Sequence, residues 1–198
     1  MFKCTNKTIF RTVPYAGLTG IYAIDPVHST IGFSVRYGMV TNVRGKFTAF
    51  EGILKLDGSR PTRSEAYLSV QTGSFDTGYP ERDVHVTGAD FLDAATFPLI
   101  SFRSSGVLHA GDGHFRLAGH LMVKDVEQPV HIDLGFGGAS RDAHLQNRVG
   151  FAGTATLQRS GWGLDGNKAL AAGGVLISDK VKLILDIRAV RLNQVQGA

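Results

Sequence analysis

Strict alternation of apolar and polar side chains constrains this chain more than any other feature. Ile31, Phe33, Val35 and Tyr37 share one parity, and Thr30, Gly32, Ser34 and Arg36 share the other. A period of two marks a strand with one dry face and one wet face. Gly38 breaks the run and Asn42 marks a turn, so the chain is expected to fold back on itself. From 43 to 56 the apolar positions change parity, from Phe47 to Phe50, Leu54 and Leu56. One extra residue, a bulge, accounts for the change and bends the strand. The opening unit therefore reads as a long bent hairpin with a single apolar face.

The same alternation returns in at least six further stretches. A short strand over 21–25 precedes the hairpin and is stopped by Asp25-Pro26. Ala66, Leu68 and Val70 alternate after the 57–61 loop, and Leu99 begins a strand reaching toward His109. Ala110-Gly111-Asp112-Gly113 is a hairpin turn into Phe115, Leu117, Leu121 and Val123. Residues 124–127 turn the chain into Val130, Ile132, Leu134 and Phe136. A polar, glycine-rich loop is expected over 137–147, ahead of Val149, Phe151, Gly153, Ala155 and Leu157. After an irregular or briefly helical stretch over 161–172, Val181, Leu183, Leu185 and Ile187 form the last strand. Only 73–98 departs from this pattern: 81–85 has helix-compatible composition, Asp90 is placed to cap a short turn, and Pro98 ends it.

Eight or nine such strands make a sheet whose apolar face needs cover, and no long amphipathic helix is present to supply it. Closing the sheet on itself solves this. The expected fold is all-β: an eight-stranded, antiparallel, up-and-down barrel with a short helical insertion. A two-sheet sandwich is the competing arrangement. Glycine supports either, at 25 of 198 residues, about 13% against a norm of ~7%. The expected organisation is a partly mobile lead over 1–20, a barrel over 21–191 and a tail over 192–198. Ile9, Val13 and Tyr15 of the lead are available to cover an edge.

Several function classes recede. The formal charge of +4 is dispersed, with no Lys/Arg block of the kind nucleic-acid binding needs. No run of ~18 apolar residues forms a transmembrane segment. The first 20 residues do not read as a secretory signal, so the cytoplasm is the expected compartment. Cys4 is the only cysteine, which excludes an internal disulfide and a cysteine metal cluster. The seven histidines, at 28, 85, 109, 114, 120, 131 and 144, make no helical zinc spacing, and no strand places two of them two residues apart.

Arg82-Asp83-x-His85 is the densest polar cluster. As an active site, His85 would be a general base oriented by Asp83. As a binding site, Arg82 and His85 would donate to a phosphate or polar headgroup. The plainest reading is a brace for the insertion. No Gly-x-Ser-x-Gly nucleophile motif accompanies the cluster. Candidate interior residues are Phe33, Val35, Phe102, Leu117, Leu121, Leu134, Phe136, Phe151, Leu183 and Leu185. They line either a packed core or a tunnel. Gly119, Gly153 and Ala155 fall in these apolar series where a filled interior wants bulk, which favours space.

The motifs, taken together, have a familiar order. Tyr22-Ala23-Ile24-Asp25, His28-Ser29 and Gly32-Phe33-Ser34-Val35 resemble the opening of the YceI-like, polyisoprenoid-binding family. Val43-Arg44-Gly45-Lys46-Phe47-Thr48-x-Phe50-x-Gly52 resembles its second signature. Arg82-Asp83-x-His85, Phe91-Leu92-Asp93, Phe97-Pro98-x-Ile100-x-Phe102 and Gly119-His120-Leu121-x-Val123-Lys124 are similar to later ones. So are Gly163-Leu164 and the run from Gly173 to Lys182. The resemblance spans about 21–191. It implies an extended, lipocalin-like barrel that carries or stores a polyisoprenoid lipid, such as a polyprenyl diphosphate or quinone, without catalysis, cofactor or metal. It implies the interior residues above as tail contacts, and Tyr37, Arg82, Asp83 and His85 as headgroup contacts at the barrel mouth. Some relatives form dimers, so a homodimer is also implied. Tyr37 departs from the pattern, standing where a histidine is common, and the leader carried by many relatives is not seen. An enzyme acting on a small amphipathic ligand at the mouth, or a filled barrel that binds a protein, are the alternatives.

Overall fold

The structure is a computed structural model and describes residues 15–38, 40–141, 146–166 and 177–192. Cys4, Ile9, Val13, His144, the first four residues of the glycine-rich motif beginning at Gly173, and nearly all of the tail lie outside the described residues. In chain order the elements are β1 (Gly20–Ile24), β2 (Thr30–Tyr37), β3 (Thr41–Phe47), β4 (Phe50–Leu56), β5 (Glu65–Gln71) and β6 (Phe75–Asp76). Helix α1 (Pro80–Thr87) follows, then β7 (Leu99–Gly111), β8 (His114–Val123), β9 (Val126–Arg141), β10 (Asn147–Gln158) and β11 (Ile177–Arg191).

The strands form one antiparallel sheet, β1-β4-β5-β7-β8-β9-β10-β11, and β11 returns to β1 to close it. The fold is an eight-strand closed barrel, not a sandwich. β11 is long enough to pair twice: Tyr22, Ala23 and Ile24 of β1 face Arg191, Val190 and Ala189, while β2 pairs with residues 177–186. β1 and β2 are thus two halves of one stave. Between them the chain leaves the ladder at Asp25–Ser29 and is stapled back by side chains. The Asp25 N–H donates to the Arg188 carbonyl at 2.8 Å; Ser29 Oγ also donates to that carbonyl at 3.0 Å and accepts from the Arg188 N–H at 2.9 Å, where it stands in for a backbone acceptor.

The parity change between Phe47 and Phe50 is larger than the expected bulge. It separates β3 from β4, which pair with β2 and β1 respectively. The corner is pinned from outside: Thr48 N–H donates to the Ser74 carbonyl and Gln71 N–H to the Ala49 carbonyl. True bulges occur elsewhere, where the register slips at Ser104/Gly106, Gly150/Phe151 and Ile177/Val181. They give the long strands the bend that closure needs. The glycine-rich segment expected as a loop instead continues β9 to Arg141, because Gly138 and Ser140 keep pairing with β10. The turn expected over 124–127 is tighter: Lys124 and Asp125 alone, both at positive φ, connect β8 to β9. Two positive-φ residues make the turn whose twist suits antiparallel neighbours.

Gly119 and Gly153 do not create open space. A Cβ on Gly119 would stand 2.5 Å from the Phe102 ring and from the Arg103 carbonyl, and one on Gly153 would collide with a Leu134 methyl. Neighbouring side chains already occupy those positions. Since backbone is among the obstacles at Gly119, Gly119→Ala is expected to lower stability by ~1–3 kcal/mol in urea unfolding.

The closure is locked by charge. The Asp25 carboxylate accepts from Arg148 Nη1 at 2.6 Å, His28 Nδ1 at 2.8 Å and the Val27 N–H at 3.0 Å. Burial alone would raise its pKa; these donors outweigh burial and hold it at about 2. A carboxyl depressed on folding favours the fold above its unfolded pKa of ~3.9, and that contribution fades as pH falls through about 2. Asp25→Asn should therefore cost about 2 kcal/mol at pH 7, with the gap between variant and parent closing as acid approaches pH 2, read from urea midpoints.

Candidate functional site

The inward faces of the staves enclose one long space of about 820 Å³. Every residue named above as a candidate tail contact lies on its wall: Phe33, Val35, Phe102, Leu117, Leu121, Leu134, Phe136, Phe151, Leu183 and Leu185. The interior is open along its length and not packed solid. Alternation produces this directly, since odd residues of β2, β8, β10 and β11 point the same way and each stave contributes a row of aliphatic or aromatic groups.

The two ends differ. At one end Tyr15 inserts its ring edge-on against Phe115 and Phe136, both at 5.6 Å between centroids, and against His109 at 6.0 Å. Its backbone packs on Gly58 so closely that a side chain there would strike the Tyr15 carbonyl. Tyr15 thus covers that opening; the sequence offered it as cover for a sheet edge, and the closed barrel instead uses it at an end.

The other end is built by β6, α1 and the segment after it. Pro80 starts α1 at a position where a missing N–H costs nothing, and Glu81 and Asp83 sit in its first turn. Val86, Phe91 and Leu92 turn inward onto the barrel core. Lys124 Nζ ties the Phe91 carbonyl to the β8–β9 turn at 2.9 Å. Tyr37, Thr77, Tyr79, Arg82 and His85 line the rim here. Arg82 donates from Nε to Thr77 Oγ1 at 2.7 Å and lies over the Tyr79 ring at 5.5 Å. Asp83 does not join the cavity wall. It receives the Thr77 hydroxyl at 2.5 Å and the Thr77 N–H at 3.1 Å, bracing the turn before α1. Three of the four expected mouth residues therefore gather at the rim, and the fourth supports it from behind.

A β-barrel of this topology, with an apolar interior and one polar rim, is matched by known proteins. The YceI-like domain profile covers residues 22–189 of the chain. The chain belongs to the YceI-like family. A UPF0312 protein of Vibrio cholerae is 32% identical over 155 residues, covering 77% of this chain and 82% of that one. One from Azotobacter vinelandii is 31% identical over 172 residues, or 86% of each. Among solved structures, Burkholderia cenocepacia BcnA superposes with a TM-score of 0.74 at 21% identity, covering 83% of this chain and 98% of that one. A polyisoprenoid binding domain from Saccharophagus degradans, implicated in plant cell wall breakdown, superposes at 0.66 with 16% identity, covering 86% and 98%. At those identities the structural likeness speaks for the fold.

Two wall residues of this YceI-like chain escape the sequence reading. Trp162, the only tryptophan, is 5% exposed, and its indole N–H donates to the Leu121 carbonyl at 3.1 Å. Arg159 lies beside it on the same short 3₁₀ turn, also on the wall. The signal for Arg159 is present in β10. Val149, Phe151, Gly153, Ala155 and Leu157 are the inward parity, and 159 is its next member. A charge on an inward parity is the anomaly to look for. Among the described residues, no cluster of three His, Cys, Asp or Glu is arranged to hold a metal ion. No described helix is long and apolar enough to cross a membrane.

Trp162 makes occupancy of the cavity directly readable. A bromine-bearing long-chain lipid should quench its fluorescence by more than half at saturation, whereas acrylamide, confined to solvent, should quench it weakly. Strong acrylamide quenching without a lipid effect would place the indole outside the cavity.

Proposed function

We propose that this YceI-like protein is a non-catalytic carrier or store for a long-chain polyisoprenoid lipid, with the tail threaded along the barrel. The observation that carries the reading is the 820 Å³ space with an apolar wall from Tyr15 to the α1 rim. Ligand sites typically occupy ~300–1,000 Å³, so this is a binding-site volume. A chain with many methylene and methyl groups gains ~0.8 kcal/mol per CH₂ removed from water, so an apolar space of this size favours a long hydrocarbon tail. The tail contacts are the ten wall residues named above, and Tyr37, Arg82 and His85 meet the headgroup, a diphosphate or quinone, at the rim. The polyisoprenoid binding domain that shares this fold supports the same ligand class.

Binding is favoured over turnover by the placement of Asp83. Its oxygens are taken by Thr77, so Asp83 and His85 are not arranged as an orienting carboxylate and its base. Mass spectrometry of an organic extract, from protein purified out of its own host without detergent, should find one prenyl lipid per chain. In a competition series affinity should rise at least about tenfold per added isoprene unit until the cavity is full. Equal affinity for short and long prenyl chains would refute the threaded tail.

A further inference from the structure

Among the described residues, Arg159 is the one buried charge on the cavity wall that the carrier reading leaves without a purpose. It is 7% exposed. Its guanidinium donates from Nε to the Ser178 carbonyl at 3.1 Å, from Nη2 to the Ile177 carbonyl at 3.4 Å, and from Nη1 to the Leu164 carbonyl. Those are three of the five N–H bonds a guanidinium carries. None of these partners is charged. No carboxylate of the described residues lies within ion-pair reach of it, and the nearest undescribed segment, 167–176, contains no Asp or Glu. Asp179, the closest acid in sequence on β11, is committed to the N–H and hydroxyl of Ser160 at 2.9 Å each.

The surrounding chain holds this cation in place. The register of β11 against β2 slips between Ile177 and Val181, and the carbonyls of Ile177 and Ser178 at that bulge are the ones Arg159 engages. Gly163, at φ 67°, ends the 3₁₀ turn and brings the Leu164 carbonyl back over the guanidinium. Gln128 Nε2 donates to the Gly161 carbonyl at 2.8 Å, and the Phe91 ring lies 5.9 Å from the guanidinium carbon. Arginine keeps its charge when buried, and a buried charge without a counter-ion is expensive. A preorganised cation in an apolar cavity is the arrangement that binds an anion most strongly.

We propose that Arg159 is the anchor for an anionic lipid headgroup, binding phosphate or carboxylate oxygens with its two remaining N–H bonds. Ile177 pairs with Tyr37, so Arg159 stands at the same end of the barrel as the Tyr37–Arg82–His85 rim, one layer inside it. The inference rests on the carrier reading and names the class of headgroup: negatively charged, not merely polar.

The test uses matched lipids on the full chain: geranylgeranyl phosphate against geranylgeraniol, and palmitate against hexadecanol. The unmodified protein should bind at least one acid at least tenfold more tightly than its alcohol. Preference in the phosphate pair alone identifies a phospholipid-type source, and in the palmitate pair alone a fatty-acid source. Arg159→Met should abolish the preference, and Arg159→Lys should restore part of it. Because Arg159 also braces its neighbours, a second readout uses the unmodified chain: the ¹⁵Nε resonance of Arg159 should shift with the acid and not with the alcohol. Equal binding of acid and alcohol, or an unmoved resonance, overturns the anchor and leaves the carrier reading standing. Failure of all four lipids to bind overturns both. Competition by inorganic phosphate at the lipid's own affinity would make this a free-phosphate site and would also overturn the proposal.

Discussion

Closure of the sheet is the constraint on which everything else depends. An eight-stave sheet with one apolar face is stable only if its first and last staves meet, and here they meet in two stretches: three register pairs between β1 and β11 and seven between β2 and β11. The break between the stretches, at Asp25–Ser29, is where side-chain fastening is densest. Ser29 supplies the acceptor that the Arg188 N–H lacks, and the Asp25 carboxylate draws in Arg148 from β10 across the seam. Tyr22, Val149 and Ala189 form a small second core directly beneath it. The interruption in the seam is thus bridged by one paired carboxylate and a tight apolar patch.

Closure also sets the interior. Eight staves leave a bore that side chains nearly fill or that one slender ligand occupies. Which of the two occurs depends on where the bulky groups lean. Phe102 swings into the position of the missing Gly119 side chain, and Leu134 does the same at Gly153. Phe33 stacks on Phe75 at 4.9 Å. These groups fold back on the wall and leave the axis open. The ends are finished by chain segments outside the staves, the Tyr15 turn at one and α1 with its following segment at the other, so apolar length and polar rim arise from different parts of the sequence.

Much of this was legible because period-two patterning reports directly on facing. The inward rows of β2, β7, β8, β9, β10 and β11, and so all ten candidate tail residues, follow from counting parity. What was not legible depended on partners distant in the chain. The parity change at Phe47 and Phe50 could not distinguish a bulge from a corner, since the difference lies in whether Ser74 and Gln71 arrive to bind Thr48 and Ala49. The glycines at 119 and 153 look like vacancies on paper, and only the rotamers of Phe102 and Leu134 show them filled. Asp83 shares a motif with Arg82 and His85, but one helical turn rotates it toward Thr77. Arg159 was readable as an inward charge, and the parity rule that found the lining residues reaches it once the count continues past the end of the strand.

The double pairing of β11 has a consequence for how the chain reaches its fold. The stave that completes the barrel is the last one described, and its partners are β1 and β2, some 150 residues earlier. In the native pairing β11 alone joins β10 to the β1–β2 stave, so the barrel is open along one side until β11 is in place. Contacts this distant in sequence also close slowly, because the entropy of the intervening loop must be overcome before any ladder forms. A lipid that threads the bore and a helper that shields the face would act at the same moment, when the first and last staves find each other.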